Sequence, residues 1–183
     1  MKYIMLILIL LGISIPSAHA ITTPEYSIVI SVSTQTLSVM KDGVLEKSYP
    51  ISTAKKGVGN ISGSNKTPLG VHIIKEKIGK KVPLGGIIKK LVYTGKKATI
   101  HTDAIYRETD LLTTRILTLT GTEKGINKGG NVDSYSRGIM IHGTPEEGLL
   151  GTPASHGCIR MRNKDIIELF DLVKAGTKVT IQN

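Results

Sequence analysis

The pattern that most restricts this chain is a series of short runs in which apolar side chains alternate with polar ones, broken by Gly, Asn, Asp and Lys. Tyr26, Ile28, Ile30 and Val32 fall on one face of an extended segment. Thr36 to Met40 follows a polar turn, and Val44 to Ile51 returns beyond the Asp42-Gly43 turn signal. Side chains two apart share a face in a strand, and the connections are too short for a crossover helix, so these runs predict an antiparallel meander. Pro68 and Gly70 bound a turn that launches a strand over Val71 to Ile78. Lys96 to His101 and Arg115 to Thr120 read as strands, and Pro83 to Lys90 is a short segment between them. Helical spacing occurs once. Asn163 reads as an N-cap, Asp165 sits in the first turn, Ile166, Ile167, Leu169, Phe170 and Val173 share a face, and Gly176 stops the run, predicting a helix over 163–175. Lys178 to Gln182 then reads as a last strand with Val179 and Ile181 inward. The chain has 183 residues, enough for one core, and no internal repeat or second domain pattern is present. A mainly β domain with a single C-terminal helix follows.

The first 20 residues stand apart from that core. Lys2 precedes an apolar run from Ile4 to Ile15, and Pro16 to Ala20 ends in an A-x-A site, the pattern of a secretory signal peptide cleaved after Ala20. The run is short for a membrane span, and no lipobox cysteine is present. Ile21 to Glu25 reads as a leader, and 21–183 as the working domain. Export would bring a single thiol, Cys158, into an oxidising compartment. With no second cysteine, an internal disulfide is excluded, and the glycines and histidines around Cys158 favour a reactive thiol.

Charge is uneven. The formal net charge of +10, less the one charge of Lys2, leaves +9 after cleavage. Thirteen lysines lie between Lys41 and Lys97 against three acids, Asp42, Glu46 and Glu76, whereas ten basic and ten acidic residues balance from Ala98 onward. The basic stretch has no arginine and offers only Tyr49 and Tyr93 for stacking, so with export it argues against nucleic acid and for an anionic wall or membrane surface. A lysine-rich surface kept for solubility explains it equally well.

The chemistry concentrates in one stretch. Gly138-Ile139-Met140-Ile141 reads as a buried strand leading into His142-Gly143-Thr144-Pro145, and a Gly-rich loop then reaches Ser155-His156-Gly157-Cys158-Ile159-Arg160-Met161. A sulfur nucleophile, an imidazole base and small residues that admit a reacting carbonyl are the parts of thiol acyl chemistry. Two histidines compete for the base. His156 is two residues from Cys158, which on a strand would share its face, and His142 ends a predicted core strand. His72 and His101 lie inside strand runs and read as packed or exposed residues rather than site residues.

The joint pattern H-G-T-P, spacer, S-H-G-C-x-R resembles the active-site signature of the L,D-transpeptidases, the cysteine enzymes of bacterial peptidoglycan. Lys66-Thr67-Pro68-Leu69-Gly70 resembles the same family's threonine-proline-x-glycine element, so the resemblance spans roughly the mature chain. It implies a β-rich, sandwich-like catalytic domain with the C-terminal helix near the site, and a groove bordered by the Ser52 to Thr67 loop. It implies Cys158 as nucleophile and His142 as base, with the carbonyl at Gly143 orienting the imidazole. Backbone N–H groups around Gly157 and Cys158 would form the oxyanion hole, with help from His156. Arg160 would clamp a substrate carboxylate, and Ser155 would order the loop. From position alone, Tyr135, Ser136 and Arg137 would flank the groove's mouth.

The activity so implied is acyl transfer from a stem tetrapeptide with loss of D-alanine, to an amine of a neighbouring stem or of an envelope protein, or to water as an L,D-carboxypeptidase. No cofactor is implied. The protein is expected to act as a monomer in the periplasm or cell envelope, and carbapenems are expected to acylate Cys158. Two other classes remain open. His142, His156 and Cys158 could hold zinc in a hydrolase, although no H-E-x-x-H is present and Glu146 and Glu147 read as loop residues. The lysine stretch could serve a wall-binding protein without catalysis. A papain-like peptidase lacks its C-G-x-C-W surround.

Overall fold

The structure, a computed structural model, describes residues 25–107 and 110–183. The signal peptide expected over 1–20 lies outside the described residues, as does all of the expected leader except Glu25. The chain is mainly β. In order it forms β1 (Tyr26–Ser31), β2 (Thr36–Lys41), β3 (Val44–Ser52), β4 (Gly70–Ile78), β5 (Gly86–Lys89), β6 (Val92–Lys97), β7 (Leu112–Gly121), β8 (Met140–Gly143), β9 (Ile159–Met161), α1 (Asn163–Leu172) and β10 (Lys178–Gln182). The sheet runs β4-β10-β1-β2-β3-β9-β8-β7, and a pairing of β4 with β7 closes it on itself. The β5–β6 hairpin extends from β7 outside that ring.

Alternation builds the interior. Ile28 pairs laterally with Val39 and Val179, and Ile30 with Leu37 and Ile181, so one face of three adjacent strands forms a continuous apolar layer. All six side chains are buried. β1, β2 and β3 form the expected antiparallel meander, and Asp42-Gly43 makes its turn with both residues at positive φ, 51° and 80°. Against this layer α1 buries Ile166, Leu169 and Phe170, and it packs on β7 and β8.

Several boundaries differ from expectation. The strand expected over Lys96 to His101 lies earlier, at Val92–Lys97, and follows a two-residue turn at Lys90-Leu91. Both turn residues have positive φ, 50° and 63°, without the Gly or Asn that usually announces such a turn. Asn163 is not the N-cap. Arg162 takes that position, and the Asn163 side chain is wholly buried. The Glu147 carboxylate serves the helix start instead, accepting the Asn163 N–H at 2.9 Å. α1 ends at Leu172, three residues early, where Lys77 Nζ donates to the carbonyls of Phe170 and Val173. Of the two strand histidines, His72 is packed, with its ring on Gly70 O and Ser134 Oγ.

One topological feature positions the site. β8 and β9 are parallel, and parallel neighbours need a long connection. Residues 144–158 provide it, and they return the chain so that Cys158 arrives beside Met140 at the start of β8.

Candidate active site

β8 and β9 pair in the register Ile141 with Ile159 and His142 with Arg160. Ile141 and Ile159 face the core, so His142 and Arg160 project to the opposite face. Gly157 lies on the core side, where a Cβ would stand 3.4 Å from Ile139 Cδ1, and its φ of +133° suits glycine. Cys158, the next residue, immediately precedes β9, and the charges of Asp110 and Arg160 act on both it and His142. Its thiol donates to Gly138 O at 3.3 Å.

The imidazole of His142 is wholly buried. Nδ1 lies 2.8 Å from Gly143 O, which can only accept, so Nδ1 carries the proton and Nε2 the free lone pair. Nε2 is buried without a hydrogen-bond partner. A support stands beneath this pair. Thr114, at φ +68°, breaks the register of β7 against β8, and the hydroxyls of Thr113 and Thr114 both donate to Asn163 Oδ1. Asn163 Nδ2 in turn donates to Thr144 O at 2.7 Å. Gly143 is held between these groups, for a Cβ there would lie 2.7 Å from Thr113 O and 2.8 Å from Asn163 Oδ1.

The loop before Cys158 is fastened to residues 53–67, the stretch expected to border a groove. Thr53 O accepts from the N–H groups of Ala154 and Ser155, and Thr67 Oγ1 donates to Gly157 O at 3.1 Å. Ser155 Oγ donates to Cys158 O at 2.6 Å and accepts the Gly157 N–H at 3.2 Å. The Gly157 N–H expected in an oxyanion hole is thus engaged by Ser155. Arg137 closes the other side, donating to Asn60 O and Lys66 O, while Tyr135 instead lies over Lys75 on β4.

Residues 156–158 form a bend, not a strand, so His156 does not share a strand face with Cys158. Its half-exposed side chain turns to Asp110, with Nδ1 at 2.8 Å and its backbone N–H at 3.1 Å from Oδ2. Arg160, expected to clamp a substrate carboxylate, is wholly buried, with Nε on Asp110 Oδ1 at 2.7 Å and Nη1 on Glu146 Oε2 at 2.9 Å, while its Nη2 is unpartnered, so two of its three nitrogens are engaged by acids of the chain itself. Two acids therefore hold the site together, Asp110, which sequence reasoning passed over, and Glu146, which it read as a loop residue. Their signal is long-range pairing with Arg160, which no local pattern displays. The three residues of the zinc alternative are not gathered as a ligand set, and the rings of His142 and His156 are engaged by different partners, Gly143 O and Asp110. Among the described residues no group of three or more His, Cys, Asp or Glu side chains is placed to hold a metal.

Electrostatics make the resting pair neutral. Burial pushes His142 below its ordinary value, and the nearby Arg160 adds to that, outweighing the opposing Asp110 charge and the bond to Gly143. Burial, with the negative charge of Asp110, pushes the Cys158 thiol up to about 12. Burial also opposes ionisation of Asp110, but His142, Arg160 and the hydrogen bonds of Arg160 and His156 together hold it at about 2. The site therefore holds thiol, neutral imidazole and carboxylate. A cavity of about 410 Å³ opens beside it, lined by Lys55, Lys56, Asn65, Tyr106, Ser155 and His156.

Comparison with known proteins settles the lineage. The model of the YkuD family, the L,D-transpeptidase catalytic domain, matches residues 25–181. This chain belongs to the L,D-transpeptidase catalytic-domain family. YkuD of Bacillus subtilis, which carries the name L,D-transpeptidase, is 45% identical over 60 residues, 30% of this chain and 37% of that protein. YbiS of Escherichia coli K12, named likewise, is 51% identical over 39 residues, 21% of this chain and 13% of that one. The matched segments thus span well under half of these relatives. Among solved structures, L,D-transpeptidase 3 of Mycobacterium tuberculosis in complex with a faropenem-derived adduct superposes with a TM-score of 0.55 at 20% identity, covering 87% of this chain and 61% of that one. An L,D-transpeptidase of Mycobacterium smegmatis gives 0.55 at 19% identity, covering 87% and 59%. At that identity the likeness is one of fold, and it agrees with the mainly β, single-helix L,D-transpeptidase architecture expected from the sequence.

Proposed function

We propose that this L,D-transpeptidase family member cross-links peptidoglycan through a thioester on Cys158, with His142 as the base. The observation that carries this reading is the buried, unpartnered Nε2 of His142, with its tautomer set by Gly143, in a site where the charges of Asp110 and Arg160 act on both His142 and Cys158. A base that is neutral at rest and a protonated thiol suit proton transfer during attack rather than a standing ion pair.

The donor is a stem tetrapeptide. Rotation of the thiol away from Gly138 O brings its proton to Nε2. Sulfur then bonds to the carbonyl carbon between the L-centred third residue and D-alanine. The oxyanion is assigned to the Cys158 N–H. As the C–N bond breaks, the D-alanine nitrogen takes the proton from His142 and leaves, and the acyl group remains as a thioester. An acceptor amine attacks it, the new amide forms and the thiol is restored. Arg160 acts from behind, holding Asp110 and Glu146 in place rather than touching substrate.

The N-terminal pattern supports export, and the lysines of 41–97 support attraction to an anionic envelope surface. The faropenem-derived adduct described for the mycobacterial relative, formed from a β-lactam of the related penem class, supports the expectation that a carbapenem acylates Cys158. Incubating residues 21–183 with a stem tetrapeptide tests the function. The expected result is release of D-alanine with a cross-linked product, lost in Cys158→Ala; release that persists in Cys158→Ala would refute the thioester route.

A further inference from the structure

The two half-reactions of acyl transfer present protons from different sides. The thiol proton is held on Gly138 O, and the imidazole assigned to take it is wholly buried. The acceptor amine arrives from solvent with its own proton to lose, and the imidazole that faces solvent is His156. Its side chain is 48% exposed, it lines the 410 Å³ cavity, and it stands two residues from the nucleophile. Asp110 grips its Nδ1 at 2.8 Å and its backbone N–H at 3.1 Å with the same oxygen. A carboxylate only accepts, so the imidazole carries a proton on Nδ1, and in its neutral form the lone pair is at Nε2. That lone pair meets the Tyr106 hydroxyl at 3.3 Å, a long contact at the surface that an incoming group can displace. Asp110 is itself held below the usual carboxylate range and pinned by Arg160 at 2.7 Å, so it remains an anion able to stabilise an imidazolium.

We propose that His156, oriented by Asp110, is a second base that serves the acceptor, and that the cavity beside it is where the acceptor amine docks. This rests on the acyl-transfer reading. With the acceptor in its free-amine form, nitrogen attacks the thioester carbonyl and passes an N–H proton to His156 Nε2. The C–N bond forms and the C–S bond breaks. The Cys158 sulfur takes a proton from water and His156 returns the one it received, so both groups are restored. Lys55 and Lys56 line the same cavity and Lys55 Nζ lies over the Tyr106 ring at 4.6 Å. Their charge suits an amine whose neighbouring carbon bears a carboxylate, and it favours the uncharged amine over its ammonium. His156 is the catalytic residue of this step and Asp110 its positioning residue.

The test separates the half-reactions by intact mass on the 21–183 protein. Acyl-enzyme formation from a stem tetrapeptide is followed first, and discharge by an amino-acid amine second. In His156→Gln, thioester formation stays within about threefold of wild type, while aminolysis falls about 100-fold, the lower range of general base catalysis, and acyl-enzyme accumulates. Hydroxylamine, a nucleophile that needs no base near neutrality, discharges the accumulated thioester at the wild-type rate. Asp110→Asn gives the same aminolysis defect and the same hydroxylamine discharge, a pattern that simple loss of structure would not produce. Aminolysis that is unchanged in His156→Gln, or that falls in step with acylation, overturns the second base. A wild type that forms no acyl-enzyme at all overturns the acyl-transfer reading itself.

Discussion

The Nδ1–H of His142 donates to the carbonyl of the very next residue, Gly143, at 2.8 Å. A backbone carbonyl thus does the orienting that a carboxylate does in many nucleophile–base pairs, and it does so without adding charge. The nearest acid acting on His142 is Asp110, which lies far upstream in the sequence.

A depressed base gives a definite pH profile. His142 must be neutral to accept the thiol proton, and burial lowers it from 6.5. Acylation should therefore hold its rate as pH falls through 6.5 and decline only below it. Asp110→Asn removes the charge that opposes this shift, so the acid limb should move further down. A stopped-flow pH profile of acylation checks both, and an acid limb that moves up in Asp110→Asn would contradict the assignment.

The thiol should show no thiolate near neutrality. With Cys158 pushed up to about 12, thiolate absorbance should stay flat from pH 6 to 9, and iodoacetamide should react slowly there. A thiolate that titrates below pH 8 would mean an ion pair with His142 in the resting site.

Asp110 should contribute to acid stability. Its value of about 2 lies below the ordinary 3.8, so the stabilisation is present above pH 4 and is lost as pH falls through 2. The contribution is on the order of 2 kcal/mol at neutral pH. Urea melts of Asp110→Asn should show that loss at pH 7 and converge with wild type near pH 2.

The buried pair of Arg160 and Glu146 should be costly to break from one side. Arg160→Met leaves an acid that is 1% exposed without its partner, a loss of about 3–5 kcal/mol. Adding Glu146→Leu should recover about 1 kcal/mol or more, because the coupling between contacting groups is then absent from both sides. Strictly additive losses in chemical unfolding would contradict this.

Gly143→Ala should damage site and fold together. Its Cβ would meet Thr113 O at 2.7 Å and Asn163 Oδ1 at 2.8 Å, neither able to retreat, costing about 1–3 kcal/mol and tilting the carbonyl that orients His142. Acylation should fall by more than the unfolded fraction explains, as activity measured beside a thermal melt would show.

Much of this molecule is visible in local sequence, and the rest is invisible for identifiable reasons. Alternation over Tyr26 to Ile51 and the Asp42-Gly43 turn reveal the meander, since each strand and its turn carry their own signal. The parallel pairing of β10 with β1 and the β4–β7 closure join residues far apart, and alternation does not encode which strands meet. The β5–β6 turn hides because Lys90 and Leu91 occupy positive φ without glycine. At the site, the S-H-G-C run announces itself, whereas Asp110 sits in an unpatterned stretch and gains meaning only when Arg160 and His156 arrive beside it. Asn163 misleads for a similar reason, since a good capping residue is drawn inward by Thr113, Thr114 and Thr144.

The most direct test of the central claim is an intact-mass spectrum of residues 21–183 after incubation with a carbapenem, beside Cys158→Ala and His142→Ala. The account predicts one covalent adduct on wild type, none on Cys158→Ala, and adduct formation slowed at least 100-fold in His142→Ala, in line with loss of a general base. An adduct that persists in Cys158→Ala, or folded, reduced wild type that stays unmodified, would contradict it.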